Sequence, residues 1–151
     1  MTRIIIFIAL MLACCCYALA RGGAPERIAG AALLCAGGAT WLSYSDLVSR
    51  FTGVEIGTMV VDVLLLVVLV AVALRADRGW PILLAGLQLA SVAAHLLKLV
   101  DLNMIRVTYA IAMAMWSYPM LIALALGTWR HRSRLRTHGA DRAWSEFRPT
   151  A

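Results

Sequence analysis

Two long apolar runs joined by a short charged link constrain this chain more than any other feature. Residues 54–74 and 80–102 flank Arg75-Ala76-Asp77-Arg78-Gly79. So short a link leaves two helices no arrangement but antiparallel. Each run is long enough to cross a bilayer, which takes about 20 residues at a rise of about 1.5 Å. Each also carries polar groups that hydrocarbon excludes. These are Asp62 on the first arm and Gln88, Ser91, His95 and Lys98 on the second.

Composition places the rest of the chain in the same solvent. Of 151 residues, 62% are hydrophobic and 15% charged. A water-soluble domain of this length cannot cover that much apolar surface. The net charge of +6 does not point to nucleic acid. All but Lys98 of the 14 basic residues are Arg, and they collect at the ends of apolar runs and after residue 129. That is the distribution of topology signals and lipid-headgroup contacts.

Five spans follow from the pattern, at about 4–20, 28–44, 54–74, 80–102 and 107–129, and residues 130–151 form a basic tail. The first run also fits a cleavable leader ending at Ala18-Leu19-Ala20, which would leave four spans. Its length favours an uncleaved span. The second run is rich in small residues. Ala32, Ala36 and Thr40 recur every four positions and share one face, which lets a neighbouring backbone approach closely. Pro81 opens the fourth run, where a missing N–H costs nothing. Pro119 falls inside the fifth, where a kink is expected because the Met115 carbonyl loses its donor.

Charge sets the orientation. A cytoplasmic tail puts Arg130, Arg132, Arg134, Arg136, Arg142 and Arg148 inside, together with Arg21, Arg27, Arg75 and Arg78 of the first turn and the hairpin link. Arg3, Arg50, Lys98 and Arg106 then lie toward the outside. This satisfies the positive-inside rule with the N-terminus out and the C-terminus in. Arg130, Arg132, Arg134 and Arg136 are expected to contact anionic headgroups, at about 1 kcal/mol each. Two readings of the tail stay open: Asp141 caps a short helix carrying Trp144 and Phe147, or the tail is disordered.

The polar residues of the hairpin form two stripes. Gln88, Ser91, His95 and Lys98 share a face of one helix, and Glu55, Met59 and Asp62 share a face of the other. Folding the hairpin at its link brings Asp62 level with His95, and Met59 level with Lys98. Asp62 lies about 10 Å below Glu55 along the helix. Depth follows from spacing, but rotation of the arms does not. Three readings stay open: a polar clasp that fixes helix pairing, a proton- or ion-handling pair, and a headgroup or ligand contact near the outer leaflet. Tyr118 either satisfies carbonyls freed by Pro119 or reaches this hairpin site.

No nucleotide loop, hydrolase elbow or metalloprotease motif occurs in the sequence. A single intramembrane His does not make a bis-His haem site. Cys14, Cys15, Cys16 and Cys35 lie inside apolar runs without CxxC spacing, so they read as packing residues. No cofactor, metal site or catalytic set is expected.

Two stretches carry a likeness. Residues 75–101, with Asp77-Arg78, Trp80-Pro81, Gln88, His95 and Asp101, and residues 116–130, with Tyr118-Pro119 and Gly127-Thr128, resemble small uncharacterised multi-spanning proteins of bacterial inner membranes. The likeness covers about a third of the chain. It implies a membrane address and no activity. The expectation is an all-α polytopic bundle acting as a non-enzymatic accessory or assembly subunit. It would contact other membrane proteins, or further copies of itself. The alternative is a small proton-coupled transporter or channel subunit using Asp62 and His95.

Overall fold

The computed structural model describes residues 2–42, 56–100, 111, 115–141 and 143–144. Five helices make up the described fold: α1 (Thr2–Arg21), α2 (Ala24–Leu42), α3 (Ile56–Arg75), α4 (Trp80–Val100) and α5 (Ser117–His138). Three of them, α1, α3 and α4, are long and apolar enough to cross a membrane. The described residues contain no strand, only a single antiparallel bridge between Ala76 and Trp144.

The helices close a ring. Each packs on the next in sequence where both are described: α1 on α2, α2 on α3, α3 on α4. Then α5 joins α4 back to α1 and touches α2 across the middle. The core holds Cys15, Ala18, Ala29, Leu69, Leu84, Leu121 and Leu124. Large apolar side chains face outward as well, among them Val60, Leu64, Val67 and Leu74 of α3. An apolar exterior suits lipid, where helices associate by close packing and not by escape from water.

Small residues set that packing. A Cβ on Gly30 would lie 3.2 Å from Ala18 Cβ, and one on Gly37 would lie 2.9 Å from Met11 Sδ. These glycines let α2 approach the Met11, Cys15 and Ala18 face of α1. Ala32 and Ala36 also pack against the core, but the tightest approaches are made by glycine. At Gly127 the missing side chain makes room for the Trp80 ring, whose Cδ2 would stand 2.9 Å from an added Cβ.

Helix boundaries follow local chemistry. Gly22-Gly23 turns the chain between α1 and α2, and α2 then starts early, at Ala24-Pro25, with proline in its first turn. Pro119 likewise falls in the first turn of α5. Ile111 and Met115 are helical, but Trp116 is a turn residue, placed where a proline three residues later cannot supply a donor to Met115. Tyr118 packs edge-on against Phe7 of α1, with ring centroids 5.4 Å apart. That ring contact is made with α1 and not with the hairpin.

The chain beyond residue 129 also differs from the expected picture. Helix α5 runs on through Arg130, Arg132, Arg134 and Arg136 to His138. Gly139, at φ 72°, closes it by donating its N–H to the Leu135 carbonyl. Asp141 follows that cap and therefore does not begin a helix at this point. Phe147 lies outside the described residues, as do Glu55, Arg106 and Asp101.

Candidate functional site

The hairpin brings its two polar stripes face to face. Asp62, half-buried on α3, is met by three side chains of α4. His95 Nε2 lies 3.2 Å from Asp62 Oδ2, and Ser91 Oγ donates to the same oxygen at 2.9 Å. Gln88 Nε2 donates to the Asp62 backbone carbonyl at 3.1 Å, using the lone pair that helix pairing leaves over. The 3-4 spacing of Gln88, Ser91 and His95 makes this convergence: all three project from one side of α4. The geometry suits the His95 tautomer with hydrogen on Nε2.

Burial is uneven across the site. His95 and Lys98 are almost wholly enclosed, at 0% and 1% exposure, and Gln88 and Ser91 are buried. The Asp62 side chain keeps 16%. Thr58, one turn from Asp62 on α3, is buried with its hydroxyl unpartnered. The site therefore has an enclosed α4 side and a carboxylate edge that remains reachable.

A second polar cluster, which spacing alone did not reveal, closes one end of the bundle. Arg78, in the α3–α4 link, pairs through NH1 with Glu26 Oε1 of α2. Its NH2 donates to Asp141 Oδ2 at 2.7 Å. His131 Nδ1 stands 2.5 Å from that same Asp141 oxygen, and Arg134 Nε lies 2.9 Å from Asp141 Oδ1. Trp80 Nε1 donates to Glu26 Oε1 at 3.2 Å. The short His131–Asp141 contact places hydrogen on Nδ1. The 3.1 Å approach of Arg78 NH2 to that nitrogen is then proximity, since two donors face each other.

Glu26 and Arg78 are both buried, at 0% and 8%. Unpaired charges there would be costly, and pairing with hydrogen bonds offsets the desolvation. Glu26 Oε2 is buried without a partner. It stands beside Gly23, where an added Cβ would lie 3.2 Å from both Glu26 Oε2 and His131 Nε2. Burial pushes the Asp141 carboxyl up, but the hydrogen bond from His131 and the charges of Arg78, Arg134 and His131 outweigh it. The group is held below its usual range.

Other expected positions fall as follows. Arg130 and Arg136 are exposed and Arg132 is half-buried. Arg134 is engaged by Asp141, although 43% of its side chain stays exposed. All four Cys are free: Cys14 and Cys15 are buried, Cys16 and Cys35 exposed. Among the described residues no group of three or more His, Cys, Asp or Glu is placed to hold a metal.

A signal for the end cluster existed. Any topology in which the first turn, the hairpin link and the start of the tail share one side brings Glu26, Arg78 and Asp141 together. Opposite charges at one level then pair. The described residues form an all-helical fold that holds these two clusters, with three helices long and apolar enough to cross a membrane. No known family model, curated protein or solved structure matches the chain.

Proposed function

We propose that this chain is a small multi-pass protein of the bacterial inner membrane serving as a non-enzymatic accessory or assembly subunit of a membrane complex. The observation that carries this reading is the use of polar groups inside the bundle. Gln88, Ser91 and His95 of α4 each bond to Asp62 of α3, as a clasp fixing which helices pair would require. In this reading all five helices take part in the membrane domain, with the N-terminus outside and the tail cytoplasmic. The first run is retained, in keeping with Cys14, Cys15 and Ala18 of α1 packing in the core. The first turn, the link and the tail side of α5 meet through Glu26, Arg78, Asp141 and His131. Arg-rich segments on one side are what the positive-inside rule asks of a cytoplasmic face. Arg130, Arg132 and Arg136 then lie where anionic headgroups are, and the outward apolar faces meet lipid, other membrane proteins or further copies.

The test is purification in mild detergent, followed by mass spectrometry and measurement of stoichiometry. A partner membrane protein held in fixed ratio is expected, and it should be lost when Asp62→Asn and His95→Gln loosen the hairpin. A second reading rests on the partial exposure of Asp62 beside His95: a proton-coupled transporter or channel subunit. Proton flux in proteoliposomes of the purified chain, abolished by Asp62→Asn with assembly intact, would replace the first reading with this one.

A further inference from the structure

We infer that Arg78, His131 and Arg134 form an anion-binding cradle, with Asp141 its built-in occupant and a phosphate group its exchangeable ligand. Donors from two places in the chain converge on one carboxylate. Asp141 Oδ2 takes Arg78 NH2 at 2.7 Å and His131 Nδ1 at 2.5 Å, and Oδ1 faces Arg134 Nε at 2.9 Å. Arg78 is held independently of that carboxylate. Glu26 holds the other limb of the Arg78 guanidinium, and Trp80 in turn holds Glu26. His131 and Arg134 both project from α5, one turn apart. A donor already held by another contact loses little freedom when its anion exchanges.

Asp141 is an incomplete ligand for these donors. Arg134 Nε is buried, and its hydrogen finds no aligned acceptor although the charge is balanced. A planar carboxylate offers two oxygens in one plane. A tetrahedral phosphate offers a third, out of plane, and guanidinium groups favour it by charge and by geometry. With Asp141 displaced, Arg78 and Arg134 outweigh Glu26, so the empty cradle attracts an anion. The occupant lies on the segment after α5. It follows the left-handed Gly139 and crosses to the hairpin link, where Trp144 bridges Ala76. The cradle lies at the end of α3 and α4, the level at which lipid phosphates and dissolved phosphate are both within reach. It is built wholly from this chain, so it stands or falls apart from the accessory role.

The experiment uses the full chain with Asp141→Ala, in neutral detergent titrated with inorganic phosphate, and in nanodiscs of phosphatidylcholine with or without phosphatidylglycerol. Thermal unfolding is the readout. Asp141→Ala should be stabilised at roughly tenfold lower phosphate than the wild type, because the internal competitor is gone. Adding Arg134→Gln should weaken that response about tenfold. Stabilisation by phosphatidylglycerol but not by inorganic phosphate supports the cradle and assigns the ligand to a lipid headgroup; the reverse supports it and assigns free phosphate. No added stabilisation of Asp141→Ala by either, or a response unchanged by Arg134→Gln, overturns the inference. Where Asp141→Ala does not fold, trypsin cleavage of the wild type between residues 136 and 142 serves instead. Excess phosphate should speed it by releasing Asp141, and an unchanged rate overturns the inference equally.

Discussion

The hairpin site and the end cluster solve the same problem, a charge where water is scarce, at different ranges of sequence. Asp62 finds its partners within one hairpin, on α4, through Gln88, Ser91 and His95. Arg78 ties the link to α2 and to the segment after α5, and through Asp141 to His131 and Arg134 of α5. The first arrangement sets the rotation of two helices. The second sets where four separate parts of the chain end. Long-range pairing therefore carries more of the tertiary arrangement, and short-range pairing carries register.

That contrast predicts unequal costs. Arg78→Ala leaves Glu26 and Asp141 without their shared cation, and breaking a buried pair on one side costs about 3–5 kcal/mol. Unfolding in detergent should show the largest loss there. A cost no greater than that of Asp62→Asn would remove the distinction between the two clusters. Next comes Gly127→Ala. Its Cβ would meet the Trp80 ring at 2.9–3.0 Å, an overpacking worth about 1–3 kcal/mol. It should also disturb Glu26, which Trp80 holds.

The two clusters differ as well in how much of each is legible in the sequence. The rise per residue and the 3-4 spacing of Gln88, Ser91 and His95 are enough to place them near the level of Asp62. Rotation is not legible, because it depends on which faces of α3 and α4 pack inward. The end cluster stays hidden because three of its members have a sufficient local explanation: Arg78 as a topology signal, Arg134 as a headgroup contact, Asp141 as a helix cap. The closing of the ring by α5 onto α1 and α4 brings them into one place. The first four helices lie close to the apolar runs, while the fifth begins at Ser117 and runs on to His138, beyond the apolar run at 107–129. Their ends shift by capping chemistry, as at Gly22-Gly23 and Gly139, which hydropathy does not read.

Acid separates the clusters more gently. Asp141 is held below its usual range, so its stabilising contribution is full above the unfolded value and is lost as pH falls through the folded one. Wild-type stability should therefore fall on acidification below about pH 4. Asp141→Asn should begin lower at neutral pH and lack that part of the decline. Parallel acid profiles for the two proteins would show that the Arg78 cluster does not depend on this carboxylate.

The smallest effect bears most directly on the central claim, that Asp62 and His95 clasp α3 to α4. A double-mutant cycle of Asp62→Asn and His95→Gln, read by unfolding in lipid nanodiscs, isolates their interaction from everything else each residue touches. The contact at 3.2 Å predicts a coupling of about 1 kcal/mol, the usual scale for polar pairs inside a membrane. Strictly additive costs would mean that the two residues do not act together, and would contradict the clasp.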